Sequence, residues 1–156
     1  MSSPNSTPEV VRGRRGARRL LVQALYQWLS AGGEPQSLVA EFLEDRAPPG
    51  IDTAYFHELL LPCLTQVERF EALIASVLDR PLAEVDPVER AVLLLATAEF
   101  ELRREIAMPV IIDEAVELAR LYGSAEGHRY VNGVLDRLAV RLRPQEKNRP
   151  RDGNCG

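Results

Sequence analysis

The sequence predicts an all-α protein, because apolar residues recur at helical spacing along nearly the whole chain and capping residues, prolines and glycines divide it into segments of helix length. No stretch shows the alternation of apolar and polar residues that is typical of a β-strand. With 156 residues, of which 46% are hydrophobic, the chain can bury a core without disulfide bonds. We therefore expect a compact bundle of about six or seven helices.

Two helices are predicted near the N-terminus. The first carries an apolar stripe over residues 20–29 and ends at Gly32-Gly33. A shorter helix follows from about Pro35 to Asp45, before the Pro48-Pro49-Gly50 segment.

Pro62 allows two interpretations of the helical structure in the next segment. Asp52 can cap a helix that runs through Leu61. Pro62 then either kinks this helix or starts another one, which runs to about Leu78.

The clearest helix start in the sequence is Asp86-Pro87-Val88-Glu89. It combines an acidic N-cap, a proline at the first helical position and a glutamate at the capping-box position. The helix that it opens runs through about Arg103. Residues 91–96 are apolar on every side, so this helix is predicted to be central.

Two further helices complete the prediction. Pro109 restarts the chain, and an apolar stripe over residues 111–122 ends at Gly123. The last helix carries the stripe of residues 130–142 and is closed by Pro144.

Both ends of the chain have the composition of disordered tails. Residues 1–11 and 144–156 are polar and contain several prolines, so we expect both to be disordered around a folded domain of residues 12–143. No apolar run approaches the roughly 18 to 20 residues of a membrane span, so no membrane association is expected. Cys63 and Cys155 form no disulfide framework, which favours a cytoplasmic protein.

The sequence carries no recognisable motif for catalysis, cofactor binding or metal binding. The chain has no glycine-rich phosphate loop and no dinucleotide-binding fingerprint. Neither His57 nor His128 has a glutamate three residues before it, as a di-iron site in a helical bundle requires. Asp113 and Glu117 stand one turn apart, but two acids on a solvated helix face are far commoner than a catalytic pair. We expect no enzyme activity, no cofactor and no metal.

A cluster of arginines is the most distinctive chemical feature. Arg12, Arg14, Arg15, Arg18 and Arg19 fall within eight residues that contain no acid, and removing these five cations from the net charge of −4 leaves −9 for the rest of the chain. Cations at a helix N-terminus oppose the helix dipole, and an anionic partner would remove that cost. Guanidinium groups bind phosphate and stack on bases, so a nucleic acid is predicted as the partner. The alternative is a solvated basic segment.

A second candidate patch begins the last helix. It contains Glu126, Arg129 and Tyr130. Tyr130 and Tyr122 could stack on unpaired bases, but both also fit the apolar stripes of their helices. The sequence leaves stacking and core packing open.

Four motifs follow one another in order. They are Arg14-Arg15-x-Ala-Arg18 with Val22-Gln23-Ala24-Leu25-Tyr26, Glu89-Arg90-Ala91-Val92-Leu93, Pro109-x-x-Ile112-Asp113-Glu114-Ala115-Val116-Glu117-Leu118-Ala119, and Tyr130-Val131-Asn132-Gly133-Val134-Leu135-Asp136. From about Arg14 to Arg143, this set resembles the NusB family of bacterial transcription antitermination factors. The stretch from Ile112 to Asp136 is the most specific part.

The resemblance implies an all-α fold of two small sub-bundles and a non-enzymatic, RNA-binding role. Members of the family pair with the ribosomal protein NusE, and the pair binds single-stranded boxA RNA of nascent ribosomal RNA leaders. The resemblance also implies that the protein joins antitermination complexes on RNA polymerase with other Nus factors. It leaves open whether the chain forms a homodimer. The competing expectation is a helical adaptor that binds only protein.

Site residues carried over by position form two RNA-facing groups and one NusE-facing position. The RNA-facing set, with the rest of the arginine cluster included, is Arg12, Arg14, Arg15, Arg18, Arg19, Tyr26, Glu126, Arg129 and Tyr130. Glu89 is the NusE-facing residue. The chain departs from the family pattern at Gly16, which interrupts the basic run, and at Gly127, which is expected to loosen the first turn of the last helix.

Overall fold

A computed structural model of the protein describes residues 7–147, and within this range the chain is helical and contains no β-strand. The eight α-helices of these residues are α1 (Pro8–Ala31), α2 (Pro35–Asp45), α3 (Thr53–Thr65), α4 (Val67–Ala75), α5 (Pro87–Leu102), α6 (Met108–Tyr122), α7 (Gly127–Leu142) and α8 (Pro144–Lys147). A 3-10 turn, Leu82–Glu84, precedes α5. The prediction of an all-α fold is confirmed, with one helix more than the upper figure of seven because Pro144–Lys147 is helical.

The chain divides into two compact units between Val67 and Glu68, as the two sub-bundles implied by the resemblance require. In the first unit, α1 packs against α2 and α3, and α2 packs against α3. In the second unit, α5, α6 and α7 pack against one another and α7 packs against α8. Residues 91–100 of α5 are all buried, which confirms the expectation of a central helix.

Helix α1 begins within the segment that the sequence predicts as a tail. The Thr7 side chain accepts a hydrogen bond from the backbone N–H of Val10 at 3.2 Å, and Pro8 occupies the first helical turn. This is the ordinary start of a helix, so residues 8–11 are helical. The predicted tail residues 1–6 and 148–156 lie outside the described residues.

Pro62 lies inside α3 and does not end it. Asp52 caps this helix as predicted, since its carboxylate accepts from the backbone N–H of Tyr55 at 3.0 Å. The helix continues past the proline to Thr65, and the break before α4 falls at Gln66. Proline removes the hydrogen bond that its own N–H would have made and crowds the carbonyl four residues earlier, yet the helix continues for three residues beyond it.

The buried guanidinium of Arg143 closes one end of the second unit. It donates to the carbonyl of Phe100 from Nε at 3.1 Å and from Nη2 at 3.0 Å, and to the carbonyl of Ile106 from Nη1 at 2.6 Å. Carbonyls in the last turn of a helix have no intrahelical partner, and a cation there also suits the helix dipole. Arg143 is therefore part of the fold and not the edge of a tail.

Helix α8 completes this closure through Glu146. The Glu146 carboxylate accepts from Arg143 Nη1 at 3.0 Å and from the backbone N–H of Met108. Helix α6 has no side-chain cap of its own, so Glu146 supplies one from a position 38 residues further along the chain.

Replacing Arg143 with alanine tests this closure. We expect Arg143→Ala to lower the free energy of unfolding by about 1–3 kcal/mol, because several buried carbonyls lose their donor. Arg141→Ala is the matched control, because Arg141 lies in the last turn of α7 and its side chain is exposed. This substitution should change the free energy of unfolding by less than about 0.5 kcal/mol. Urea unfolding of both variants measures the difference, and equal stabilities would contradict the structural role.

Candidate nucleic-acid interface

The arginine cluster of α1 divides between two faces of the helix. Arg12, Arg15 and Arg19 are exposed, whereas Arg14 and Arg18 are only 8% and 4% exposed. A spacing of three and then four residues returns to the same face of a helix, so the exposed arginines form one line. The sequence predicts all five arginines to face RNA, but the structure divides them into an exposed row of three and a buried pair, Arg14 and Arg18.

The inner pair packs on one tyrosine of α3. The guanidinium carbons of Arg14 and Arg18 lie 4.9 Å and 5.5 Å from the ring centroid of Tyr55. Arg18 Nη2 also donates to the Tyr55 hydroxyl at 3.4 Å. Tyr55 is buried, and a buried cation–π contact of this kind is worth about 2 kcal/mol. The two arginines therefore hold α1 against α3.

Two glycines bring α1 close to the start of α3. The backbone N–H of Asp52 donates to the carbonyl of Gly13 at 3.0 Å. A Cβ atom at Gly16 would lie 2.7 Å from Cγ2 of Ile51, which is closer than side chains approach. Gly16 thus allows a tight helix contact, and α1 remains helical through it.

The outward face of α1 continues beyond the arginines. Gln23 is exposed on the same line, and Tyr26 follows with 44% of its surface exposed. At 1.5 Å per residue, the line from Arg12 to Tyr26 is about 21 Å long. We call this surface the α1 stripe; its residues are Arg12, Arg15, Arg19, Gln23 and Tyr26. It offers guanidinium groups for phosphates and an open ring for a base.

The second predicted patch lies at the start of α7. Glu126 occupies the N-cap position without a side-chain capping bond, and its carboxylate lies 3.6 Å from Nη1 of Arg129. Both side chains are strongly exposed, so this ion pair contributes little to stability. We call Glu126, Arg129 and Tyr130 the α7 patch.

Tyr130 is neither a core residue nor an open platform. The ring is half-buried, and the guanidinium carbon of Arg80 lies 4.5 Å from its centroid. Burial raises the pKa of the Tyr130 phenol, and the nearby charge of Arg80 acts in the opposite direction. Tyr122, the other tyrosine considered for stacking, is 39% exposed at the end of α6.

Glu89 is 6% exposed and supports the turn between α6 and α7. Asp86 caps α5 as predicted, accepting from the backbone N–H groups of Val88 and Glu89. The Glu89 carboxylate, however, does not return to Asp86 as a capping box would require. It accepts from the Ser124 hydroxyl at 2.9 Å, because α5 packs against α6 and α7, the two helices that Ser124 connects.

Gly127 is the glycine that this arrangement requires. A Cβ atom there would overlap Oε2 of Glu89 and lie 2.7 Å from its Cδ. Glycine at the first position of α7 therefore permits the close approach of a carboxylate, which is a packing role the sequence did not predict.

Membrane spans and clustered metal ligands are both absent from the described part of the chain. No helix between residues 7 and 147 is both long and apolar enough to cross a membrane. The same residues contain no group of three or more His, Cys, Asp or Glu side chains placed to hold a metal ion.

The fold and the α1 stripe together define an all-helical protein whose candidate site suits a nucleic acid. Comparison with known proteins makes the assignment specific. Residues 15–140 match the model of the NusB family, and the chain belongs to this family.

Curated relatives and solved structures agree with this assignment. "Transcription antitermination protein NusB" of Shewanella halifaxensis is 45% identical over 130 residues, which are 83% of this chain and 96% of the relative. The protein of the same name from Shewanella amazonensis is 44% identical over 128 residues, covering 82% and 96%. The structure of T. maritima NusB is 29% identical with a TM-score of 0.75, covering 90% of this chain and 96% of that one.

A further solved structure contains partners. It is described as antitermination factors NusB and NusE in complex with dsRNA, and its matching chain is 26% identical with a TM-score of 0.75. The match covers 83% of the present chain and 98% of that chain.

A double-mutant cycle tests the contact between Gly127 and Glu89. We expect Gly127→Ala to cost about 1–3 kcal/mol of stability, because the new methyl group displaces a packed carboxylate. In a Glu89→Ala background the same change should cost almost nothing, since its obstacle is gone.

Gly133 provides the control in the same helix. A Cβ atom there meets nothing closer than 3.7 Å, so Gly133→Ala should stabilise the protein by roughly 0.5–1 kcal/mol. Additive effects of the two changes in the cycle, measured by urea unfolding, would contradict the packing role of Gly127.

Proposed function

We propose that this chain is a transcription antitermination factor that binds single-stranded boxA-type RNA of nascent ribosomal RNA leaders together with the ribosomal protein NusE. It joins the antitermination complex on RNA polymerase with other Nus factors, in the cytoplasm, as a binding protein and not as an enzyme. Membership of the NusB family and the likeness to a NusB chain solved with NusE and RNA support this proposal.

The observation that carries the proposal is the α1 stripe. Three exposed arginines stand on one helix face, and an exposed tyrosine continues the same line. The exposed guanidinium groups can donate charged hydrogen bonds to phosphates, and a base without a pairing partner stacks on the Tyr26 ring. A flexible single strand can follow such a line, because its bases are free to turn outward.

Arg14 and Arg18 serve the same surface from behind. Their contacts with Tyr55 fix which face of α1 is turned outward. We therefore propose that they act mainly as positioning residues for Arg12, Arg15 and Arg19.

The α7 patch contributes a second, smaller RNA contact in this proposal. Arg129 carries the exposed positive charge, Glu126 orients it, and Tyr130 lies beside them in the first turns of α7.

On the NusE side, Glu89 acts through the turn that it anchors with Ser124. Glu89→Gln keeps an acceptor for Ser124, so we expect NusE affinity to survive it. A loss of NusE affinity without loss of melting temperature would instead indicate a direct contact by the charge.

Removing two cations of the α1 stripe tests the proposal. We expect the double change Arg12→Ala and Arg19→Ala to weaken binding of a single-stranded boxA-type RNA in the presence of NusE. The slope of log K against log salt should fall by about 0.7 for each phosphate that is no longer neutralised. The melting temperature should stay nearly constant, because both side chains are exposed.

Arg46→Ala is the control for the loss of an exposed arginine; it removes one positive charge, against two in the double variant. Arg46 is an exposed arginine of the same unit. It follows the last residue of α2 and is not one of the residues of the α1 stripe. Its removal changes the net charge without touching the α1 stripe, so the RNA affinity should stay close to that of the parent protein. If the double variant binds RNA as tightly as this control, the chain is better described as a helical adaptor that binds only protein.

A further inference from the structure

Arg80 is an exposed cation that the sequence did not single out. It lies between α4 and α5, and its guanidinium carbon stands 4.5 Å from the ring centroid of Tyr130. Nearly half of the side chain, 46%, is open to solvent. An arginine layered on an aromatic ring keeps its charge exposed while losing much of its freedom to move.

The surrounding residues fix the orientation of this guanidinium. The segment that carries Arg80 is tied to α7, because Nε of Arg137 donates to the carbonyl of Val77 at 3.0 Å. Nε of Arg80 donates to the carboxylate of Asp79 at 3.4 Å. Asp79 is mostly exposed, so this ion pair is weak and holds the Nε side of the group without neutralising it fully.

Neither terminal Nη atom of Arg80 donates a hydrogen bond to an acceptor among residues 7–147. The two terminal N–H₂ groups form the planar fork that matches two phosphate oxygens. At the α7 patch, Arg129 forms a similarly weak ion pair with Glu126 at 3.6 Å, and 77% of its side chain is exposed, whereas Arg80 is held against the Tyr130 ring. Arg80 is therefore the cation of this region that is already stacked and oriented for an anion.

We propose that Arg80 is a phosphate-binding residue of the RNA surface at the α7 patch, and that Tyr130 is its positioning residue. This inference rests on the proposed RNA-binding function and specifies its chemistry: the RNA backbone is held by the Arg80 fork, while the Tyr130 ring supports the guanidinium. Because Arg80 covers a face of the ring, Tyr130 contributes through Arg80 more than through a base of its own.

Measuring RNA affinity at several salt concentrations tests the inference. With NusE and a single-stranded boxA-type RNA, Arg80→Ala should weaken binding roughly tenfold, as expected for one charged hydrogen-bonded contact. The slope of log K against log salt should fall by about 0.7. Arg80→Lys should restore the slope but only part of the affinity, because lysine keeps the charge and lacks the fork. Circular dichroism melting of each variant checks that it remains folded.

Arg69 offers a closely matched control in the same unit. Its guanidinium carbon lies 4.8 Å from the ring centroid of Phe70, and 49% of its side chain is exposed. Arg80 donates to a carboxylate only from Nε, whereas Arg69 donates from Nη1 to the carboxylate of Glu101 at 2.9 Å. Arg69→Ala should therefore leave RNA affinity unchanged.

The outcomes separate this inference from the proposed function. If Arg80→Ala binds RNA like the parent protein while the Arg12 and Arg19 variant is impaired, the role of Arg80 is overturned and RNA binding stands. Equal weakening by Arg80→Ala and Arg69→Ala would also overturn it, since the effect would then reflect net charge alone. If neither Arg80→Ala nor the Arg12 and Arg19 variant weakens binding, both proposals fail.

Discussion

The stacking of two arginines on Tyr55 is the interaction on which the candidate site depends. Helix α1 concentrates five cations in eight residues, and it can bury only one face. By packing Arg14 and Arg18 on a single ring, the first unit fixes the rotation of α1 about its own axis. Arg12, Arg15 and Arg19 then point outward together. The same cluster thus provides both the anchor and the binding surface.

Polar groups have a similar structural role in the second unit. Arg143 satisfies carbonyls at the end of α5, and Glu89 supports the turn before α7. Gly127 makes room for that carboxylate, so the start of α7 is held by packing and not by a capping side chain. Tyr130 lies in this first turn and carries Arg80 on its ring. The buried charge of Glu89 thus holds the start of the helix that carries Tyr130, and Tyr130 in turn supports the exposed guanidinium of Arg80.

Local signals predicted most helices, and contacts between distant residues explain what they missed. Asp52 and Asp86 mark helix starts because capping acts within three residues. Burial of Arg14 and Arg18 depends on Tyr55, about forty residues further along the chain, and no local pattern reveals it. The structural role of Arg143 was hidden for the same reason. By contrast, the helix start at Thr7-Pro8 could have been recognised from the sequence, although the composition of that segment suggested a disordered tail.

The most direct measurement is an NMR titration that follows the arginine Nε–H signals as boxA-type single-stranded RNA is added to the complex with NusE. The account predicts that the signals of Arg12, Arg15 and Arg19 shift in parallel and saturate at one equivalent of RNA. The signals of Arg46 and the buried Arg143 should remain in place. Saturable RNA binding that leaves the three arginines of the α1 stripe unchanged would contradict the account.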